Sequence, residues 1–185
     1  MDTVKDIQSL EYRTRYFWRV RARNVLGCAD FAAWVTFKTG DATVTLVDTA
    51  KSDWNLLSVP LRVFDNSKSF IFPNAISNAF GYNGAYVRVD SLKTGSGYWL
   101  KFLDKDPLSI SGQSIDSETV AVKNGWNIIG SISQPIEAAS ISSIPPGIIT
   151  GSFFGFSDGY FVANTIVPGQ GYWVRTNHSG LLILS

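Results

Sequence analysis

The sequence predicts an all-β protein: a partial fibronectin-like hairpin, then two tandem related antiparallel β modules, sandwich or barrel-like. Three observations predict it. Short β-branched and aromatic runs alternate with glycine-rich turns throughout. One sequence block is repeated almost in frame. Helix signal is sparse: residues 67–80 and 137–144 each have room for one short helical turn, cut by Pro73 or stopped by Pro145-Pro146.

The repeat is legible in spaced matches. Trp54-Asn55-Leu56-Leu57 matches Trp126-Asn127-Ile128-Ile129 at an offset of 72. Phe80-Gly81-Tyr82-Asn83-Gly84-Ala85-Tyr86 matches Phe154-Gly155-Phe156-Ser157-Asp158-Gly159-Tyr160 at 74. Gly95-Ser96-Gly97-Tyr98-Trp99-Leu100-Lys101 matches Gly169-Gln170-Gly171-Tyr172-Trp173-Val174-Arg175, again at 74. The second copy is therefore two residues longer between Ser131 and Phe154. The expected organisation is 1–40, 41–112 and 113–185, with Thr39-Gly40-Asp41 as a linker.

Within each copy, Val44-Thr45-Leu46-Val47 and residues 118–122 read as strands, followed by strands at 54–59 and 126–132. Asn83-Gly84 and Asp158-Gly159 sit between aromatics, a hairpin cue because these residues tolerate positive φ. Gly97–Phe102 and Gly171–Thr176 supply another strand. Residues 118–122 run straight into Gly125-Trp126, so the copies are expected to share a core. Trp54 and Trp126 are expected inside it.

The first forty residues are Arg-rich and alternate. Tyr16, Trp18, Val20 and Ala22 share one face, and Phe17, Arg19, Arg21 and Arg23 share most of the other. Asn24-Val25-Leu26-Gly27 reads as a turn, and residues 33–38 as a returning strand. The run from Leu10 to Asn24, with Gly27, Trp34 and Phe37-Lys38-Thr39, resembles the end of a fibronectin type III domain. Leu10 and Tyr16 stand where that family places its tyrosine corner, whose phenol ties back to upstream backbone. The resemblance lacks the family's earlier strands and implies a piece of a longer protein. It leaves one face of the hairpin uncovered, and that face is expected to pack on the first repeat or across a homodimer, anchored by Trp18. Residues 44–185 resemble a duplicated module with GWN and GYW signatures, found near the C-terminal ends of secreted multidomain bacterial proteins. That implies an extracellular or cell-surface location and no defined chemistry.

Composition narrows function. Lys and Arg number 16 against 15 Asp and Glu, with no basic block, so a nucleic-acid partner has little electrostatic support. No apolar run is long enough for a membrane span, and the polar start does not read as a signal peptide. The single Cys28 excludes an internal disulfide and a cysteine zinc site. The single His178 lies in a turn and reads as a solvated loop residue. Asp48, Asp53, Asp65, Asp90, Asp116, Glu118 and Asp158 are scattered, in no repeated acidic motif, and Asp104-Lys105-Asp106 is a poor calcium cage. No catalytic residue, metal ligand or cofactor is expected.

The aromatic residues carry the functional expectation. Neighbouring Tyr and Trp on a strand point to opposite faces, so one of each pair is expected in the core and the other near the surface. Tyr82, Tyr86, Trp99, Tyr160 and Trp173 are the expected binding residues, for a polysaccharide or other cell-surface partner. Core or intermodule packing is the simpler account of the same rings, because a shared fold requirement explains their recurrence in both copies at once. The expected function is a non-catalytic structural or adhesive module. The alternatives are a carbohydrate-binding module of a polysaccharide-degrading protein and, third, a small ester or lactone hydrolase.

Overall fold

The computed structural model describes residues 7–40 and 42–185; residues 1–6 and Asp41, at the polar start and in the linker, lie outside them. The fold is all-β, built of antiparallel sheets. The chain forms two compact units, up to Ala42 and from Thr43 onward.

The first unit holds β1 (Arg15–Trp18), β2 (Arg23–Asn24), β3 (Gly27–Cys28) and β4 (Val35–Lys38). β1 pairs with β4 in the register Tyr16↔Phe37, and those two rings stack 5.6 Å apart. The backbone N–H of Glu11 donates to the Tyr16 phenol oxygen over 2.8 Å, five residues back along the chain. β2 and β3 close around Val25-Leu26, and the side-chain oxygen of Asn24 accepts the Leu26 N–H. On the charged face, the Arg19 guanidinium lies 3.8 Å from the Phe31 ring centroid and 4.3 Å from that of Trp34. Trp18, expected as a packed anchor, is 43% exposed, and Val20 is exposed too. Only Tyr16 among the β1 residues is partly buried, because it alone is covered by a ring across the pair.

The second unit contains the duplication. The first repeat comprises β5 (Thr43–Ala50), β6 (Asp53–Ser58), β7 (Leu61–Arg62), α1 (Lys68–Ile71), β8 (Ala79–Tyr82), β9 (Tyr86–Val89), β10 (Gly97–Phe102) and β11 (Asp106–Ser114). The second comprises β12 (Glu118–Val122), β13 (Gly125–Ile129), β14 (Ile136–Glu137), a 3-10 turn at Ala138–Ser140, β15 (Ser142–Ile144), β16 (Phe153–Phe156), β17 (Tyr160–Ala163), β18 (Thr165–Ile166), β19 (Tyr172–Thr176) and β20 (Gly180–Leu184). Their four-stranded sheets share one topology, β6-β10-β8-β9 and β13-β19-β16-β17. A three-stranded sheet faces each: β5-β11-β7 in the first, β12-β20-β15 in the second. The short strands β7, β14, β15 and β18 have two or three residues each, too few for an alternation to be read in advance.

Period-two alternation explains the layering. Leu57, Tyr98, Leu100 and Phe102 point inward to the first repeat's own core, against Ala50, Leu108 and Ile110 of the facing sheet. Ile129, Tyr172 and Val174 do the same in the second, against Val120, Val122 and Leu182. The residues between them, Leu56, Trp99, Ile128 and Trp173, form a third buried layer between the two four-stranded sheets. The single shared core expected from the sequence is thus three layers: one private to each repeat, one common.

Turn residues fix these strands. Asp53 and Gly125, at equivalent positions, both have positive φ (72° and 98°). Two residues on, Asn55 accepts the Lys51 N–H and donates to the carbonyls of Lys51 and Asp53. Asn127 repeats the pattern with Lys123 and Gly125. At the hairpins, positive φ falls on Gly84 and Asp158, again equivalent positions. The tie from a phenol to backbone five residues upstream, seen at Tyr16, recurs as well: the Lys93 N–H donates to the Tyr98 phenol over 2.7 Å, and the Val167 N–H to the Tyr172 phenol over 2.9 Å.

Gly97 and Gly171 bring the repeats together. A Cβ on Gly97 would stand 2.7 Å from the Ile129 carbonyl oxygen and 3.2 Å from the Gly171 Cα; one on Gly171 would stand 3.1 Å from the Leu57 oxygen and 3.3 Å from the Gly97 Cα. This closeness lets each repeat's edge strand bond to the other repeat. Leu57 bridges Gln170, and Ser96 bridges Ile129. The Ser58 N–H donates to the Gly169 carbonyl over 2.7 Å, and the equivalent Gly130 N–H donates to that of Gly95 over 2.9 Å. The fully buried hydroxyls of Ser58 and Ser131 lie 2.8 Å apart beside this seam.

Two outcomes are expected. Gly97→Ala and Gly171→Ala each insert a methyl where backbone already sits, so each lowers stability by about 1–3 kcal/mol in denaturant titration. Burial raises the Tyr98 and Tyr172 phenols above their ordinary value near 10. The native state therefore favours the neutral phenol; that stability is complete below about pH 10 and is lost as pH climbs through the raised values. The urea midpoint should fall in that alkaline range, and fall less in a Tyr98→Phe/Tyr172→Phe variant.

Candidate functional site

The common layer opens at its rim into two aromatic clefts. One, of about 480 Å³, is lined by Tyr82, Tyr86, Trp126, Phe154, Tyr160 and Trp173. The other, of about 430 Å³, is lined by Trp54, Phe80, Tyr86, Trp99 and Phe156. The repeat relates their parts: Trp126 to Trp54, Phe154 to Phe80, Trp173 to Trp99 and Tyr82 to Phe156. All five rings named from the sequence line one or both clefts.

Each cleft is built from both repeats. Trp173 of the second repeat meets Tyr82 of the first with ring centroids 4.8 Å apart, and Tyr86 at 6.5 Å. Trp99 of the first meets Phe156 of the second at 4.8 Å, and Tyr160 at 6.4 Å. The rings stand edge to face, at 70° to 90°. Trp126 meets Trp173 at 89° and a centroid distance of 6.1 Å. Trp173 is thus a floor with Tyr82, Tyr86 and Trp126 as walls.

Burial divides these rings. Tyr86 and Tyr160 are more than half exposed and Trp126 nearly so, whereas Trp99 and Trp173 are more than nine-tenths buried. The expectation that one member of each Tyr-Trp pair lies near the surface is corrected. Tyr98 and Tyr172 fill the private cores, and the tryptophans on the opposite face are covered by the other repeat. The expectation of core positions for Trp54 and Trp126 is corrected too. Trp54 lies opposite Lys101 in the β6–β10 register, so it shares the outer face with Leu56 and projects beyond the buried layer to the rim. Their place as cleft walls was missed, although alternation from Leu57 outward points to that face.

The polar character of the clefts is slight. Among their lining side chains, the tyrosine phenols and the indole N–H groups are the polar groups. The Nε1 atoms of Trp99 and Trp173 are buried with no hydrogen-bond partner. An unmade buried bond of this kind costs about 1–3 kcal/mol. Burial pushes the Tyr86 phenol up, the Tyr160 and Tyr82 phenols add to the rise, and the Trp99 indole N–H opposes it.

His178 and five of the scattered acids have partners outside the two clefts. His178 is exposed, with Nδ1 3.0 Å from the side-chain oxygen of its neighbour Asn177. Asp48 accepts from Gln170 over 2.6 Å, Asp53 pairs with Lys101 at 2.9 Å, and Asp65 accepts the Ser67 N–H. Asp90 pairs with Arg88, and Asp158 with Lys51 across the repeats. Among the described residues no group of three metal-ligating side chains converges, and no helix is long and apolar enough to cross a membrane.

Truncation should separate floor from wall. Trp99→Ala or Trp173→Ala empties the common layer and should cost about 3–5 kcal/mol of unfolding free energy. Trp54→Ala and Trp126→Ala should each cost about 1 kcal/mol or less, because their rings already face solvent over a third or more of their surface. Comparison with protein-family models, curated proteins and solved structures finds no match to this chain.

Proposed function

We propose that this chain is a non-catalytic adhesive module of an exported, surface-associated multidomain protein, and that the twin aromatic clefts are its binding face. The observation that carries the reading is the convergence of the more than half-exposed Tyr86 and Tyr160, the slightly less exposed Trp126 and the more sheltered Tyr82 on clefts floored by Trp173 and Trp99. The exported setting rests on the resemblance of the hairpin and of the GWN and GYW signatures to secreted bacterial modules. The Glu11–Tyr16 hydrogen bond supports the first of these, since it ties a phenol back to upstream backbone. The open face bearing Trp18 and Val20 is where a homodimer would form.

The second reading is a carbohydrate-binding module. It is favoured by the half-exposed Tyr86 and Tyr160 rings, which both line the larger cleft and offer flat faces to a sugar ring. Glycan-array binding by the full chain, lost in Tyr86→Ala/Tyr160→Ala, is the expected outcome for that reading. An array without signal removes it and leaves the adhesive reading. Weak ester or lactone hydrolysis, if seen, should be unchanged by His178→Ala; a fall of two decades or more would establish an imidazole-dependent enzyme instead.

A further inference from the structure

The geometry points to a quaternary ammonium headgroup, of the trimethylammonium type, as the ligand of the two clefts. This rests on the clefts being the binding face and names their ligand class.

Three observations converge. The lining is aromatic at every position in both clefts, with no aliphatic, amide or charged side chain. Burial of a purely apolar ligand would be served as well by Leu or Ile, whereas ring faces add a negative quadrupole that attracts a cation. The second observation is the box itself. Trp173 stands close to perpendicular to Tyr82, Tyr86 and Trp126, at 70°, 78° and 89°. Rings standing upright against one floor ring give a guest walls rather than one flat stacking plane.

The third observation is the pair of buried indoles, whose N–H groups have no well-formed hydrogen bond, that of Trp99 lying against the Tyr86 phenol. Phe or Leu at positions 99 and 173 would fill the common layer without leaving a buried N–H unsatisfied. A buried, poorly satisfied indole is nevertheless kept at the same position of both repeats. Indole has the ring face most attractive to a cation, so the binding role accounts for a choice that packing alone disfavours. The scarcity of hydrogen-bonding groups selects further. A lysine ammonium, a guanidinium or a sugar brings several donors, for which the lining offers only the tyrosine phenols as acceptors. A trimethylammonium group has no N–H to satisfy, and its charge is spread over methyl groups that pack against rings. The cleft floored by Trp173 has the fuller set of walls and should be the tighter of the two sites.

The test is calorimetric titration of the full chain with choline chloride and with 3,3-dimethylbutan-1-ol, its uncharged isostere. Choline should bind about tenfold or more tightly than the isostere, at two sites of unequal affinity. Equal affinities would show a merely hydrophobic cleft and overturn the inference, as would silence of both ligands. Trp126→Leu keeps apolar bulk but removes a ring face. It should weaken choline at one site about fivefold while leaving the isostere unaffected; equal weakening of both counts against the inference. The comparison on the unaltered chain stands whether or not the variant folds. Phosphatidylcholine vesicles distinguish the source. Chain bound to them and released by free choline places the headgroup on a lipid, and choline binding without vesicle binding places it on a soluble or polymer-borne group. A positive glycan array dependent on Tyr86, with choline silent, removes this inference and keeps the binding face. Silence in every arm removes both.

Discussion

The contact on which the rest of the second unit depends is the meeting of two glycine backbones, Gly97 and Gly171. Only residues without a Cβ allow the Leu57 and Ile129 carbonyls so near the opposing chain. That approach places the free edges of β6 and β13 where they can bond to the opposite repeat, so neither is left as an open template for further strand pairing. It also sets the spacing of the sheets, and thereby decides that Trp99 and Trp173 are covered while Trp54 and Trp126 reach the rim. The clefts follow from how closely two main chains can approach.

Much of this organisation can be read from the residues. The duplication is visible because its determinants are local: a left-handed residue and a turn-closing Asn around each β-strand start, a glycine pair before each Tyr-Trp. Asn55 and Asn127 show how strictly such local chemistry is repeated, bond for bond. The aromatic site was legible for a related reason, since its residues recur in the same places as the turn signals.

What could not be read is which face of each strand would meet another protein layer. Period-two alternation separates faces but does not say what covers them. Trp54 and Leu56 occupy the same face of β6 and differ only in distance from the seam, and so one is exposed and the other buried. Similarly, the pairing of Trp173 with Tyr82 and of Trp99 with Phe156 joins residues 91 and 57 positions apart, and no local pattern encodes it. Pairings of that kind are set by topology, once the sheets have been stacked.

The crossed construction of the clefts has a consequence for assembly. A lone copy of the repeat carries the floor and part of the walls of one cleft and the remaining walls of the other, and completes neither. Two separate copies would hold such a site only by meeting in solution, so its occupancy would depend on protein concentration. Here the short link Ile115–Ser117 joins β11 to β12, and the encounter becomes intramolecular. The halves stay paired at any dilution, and neither must remain complementary to an identical partner. Their divergence is visible at the rim: Lys51 pairs with Asp158, whereas its counterpart Lys123 faces a repeat whose equivalent residue is Gly84. Covalent tethering makes the pairing of the two halves permanent and leaves each free to differ from the other.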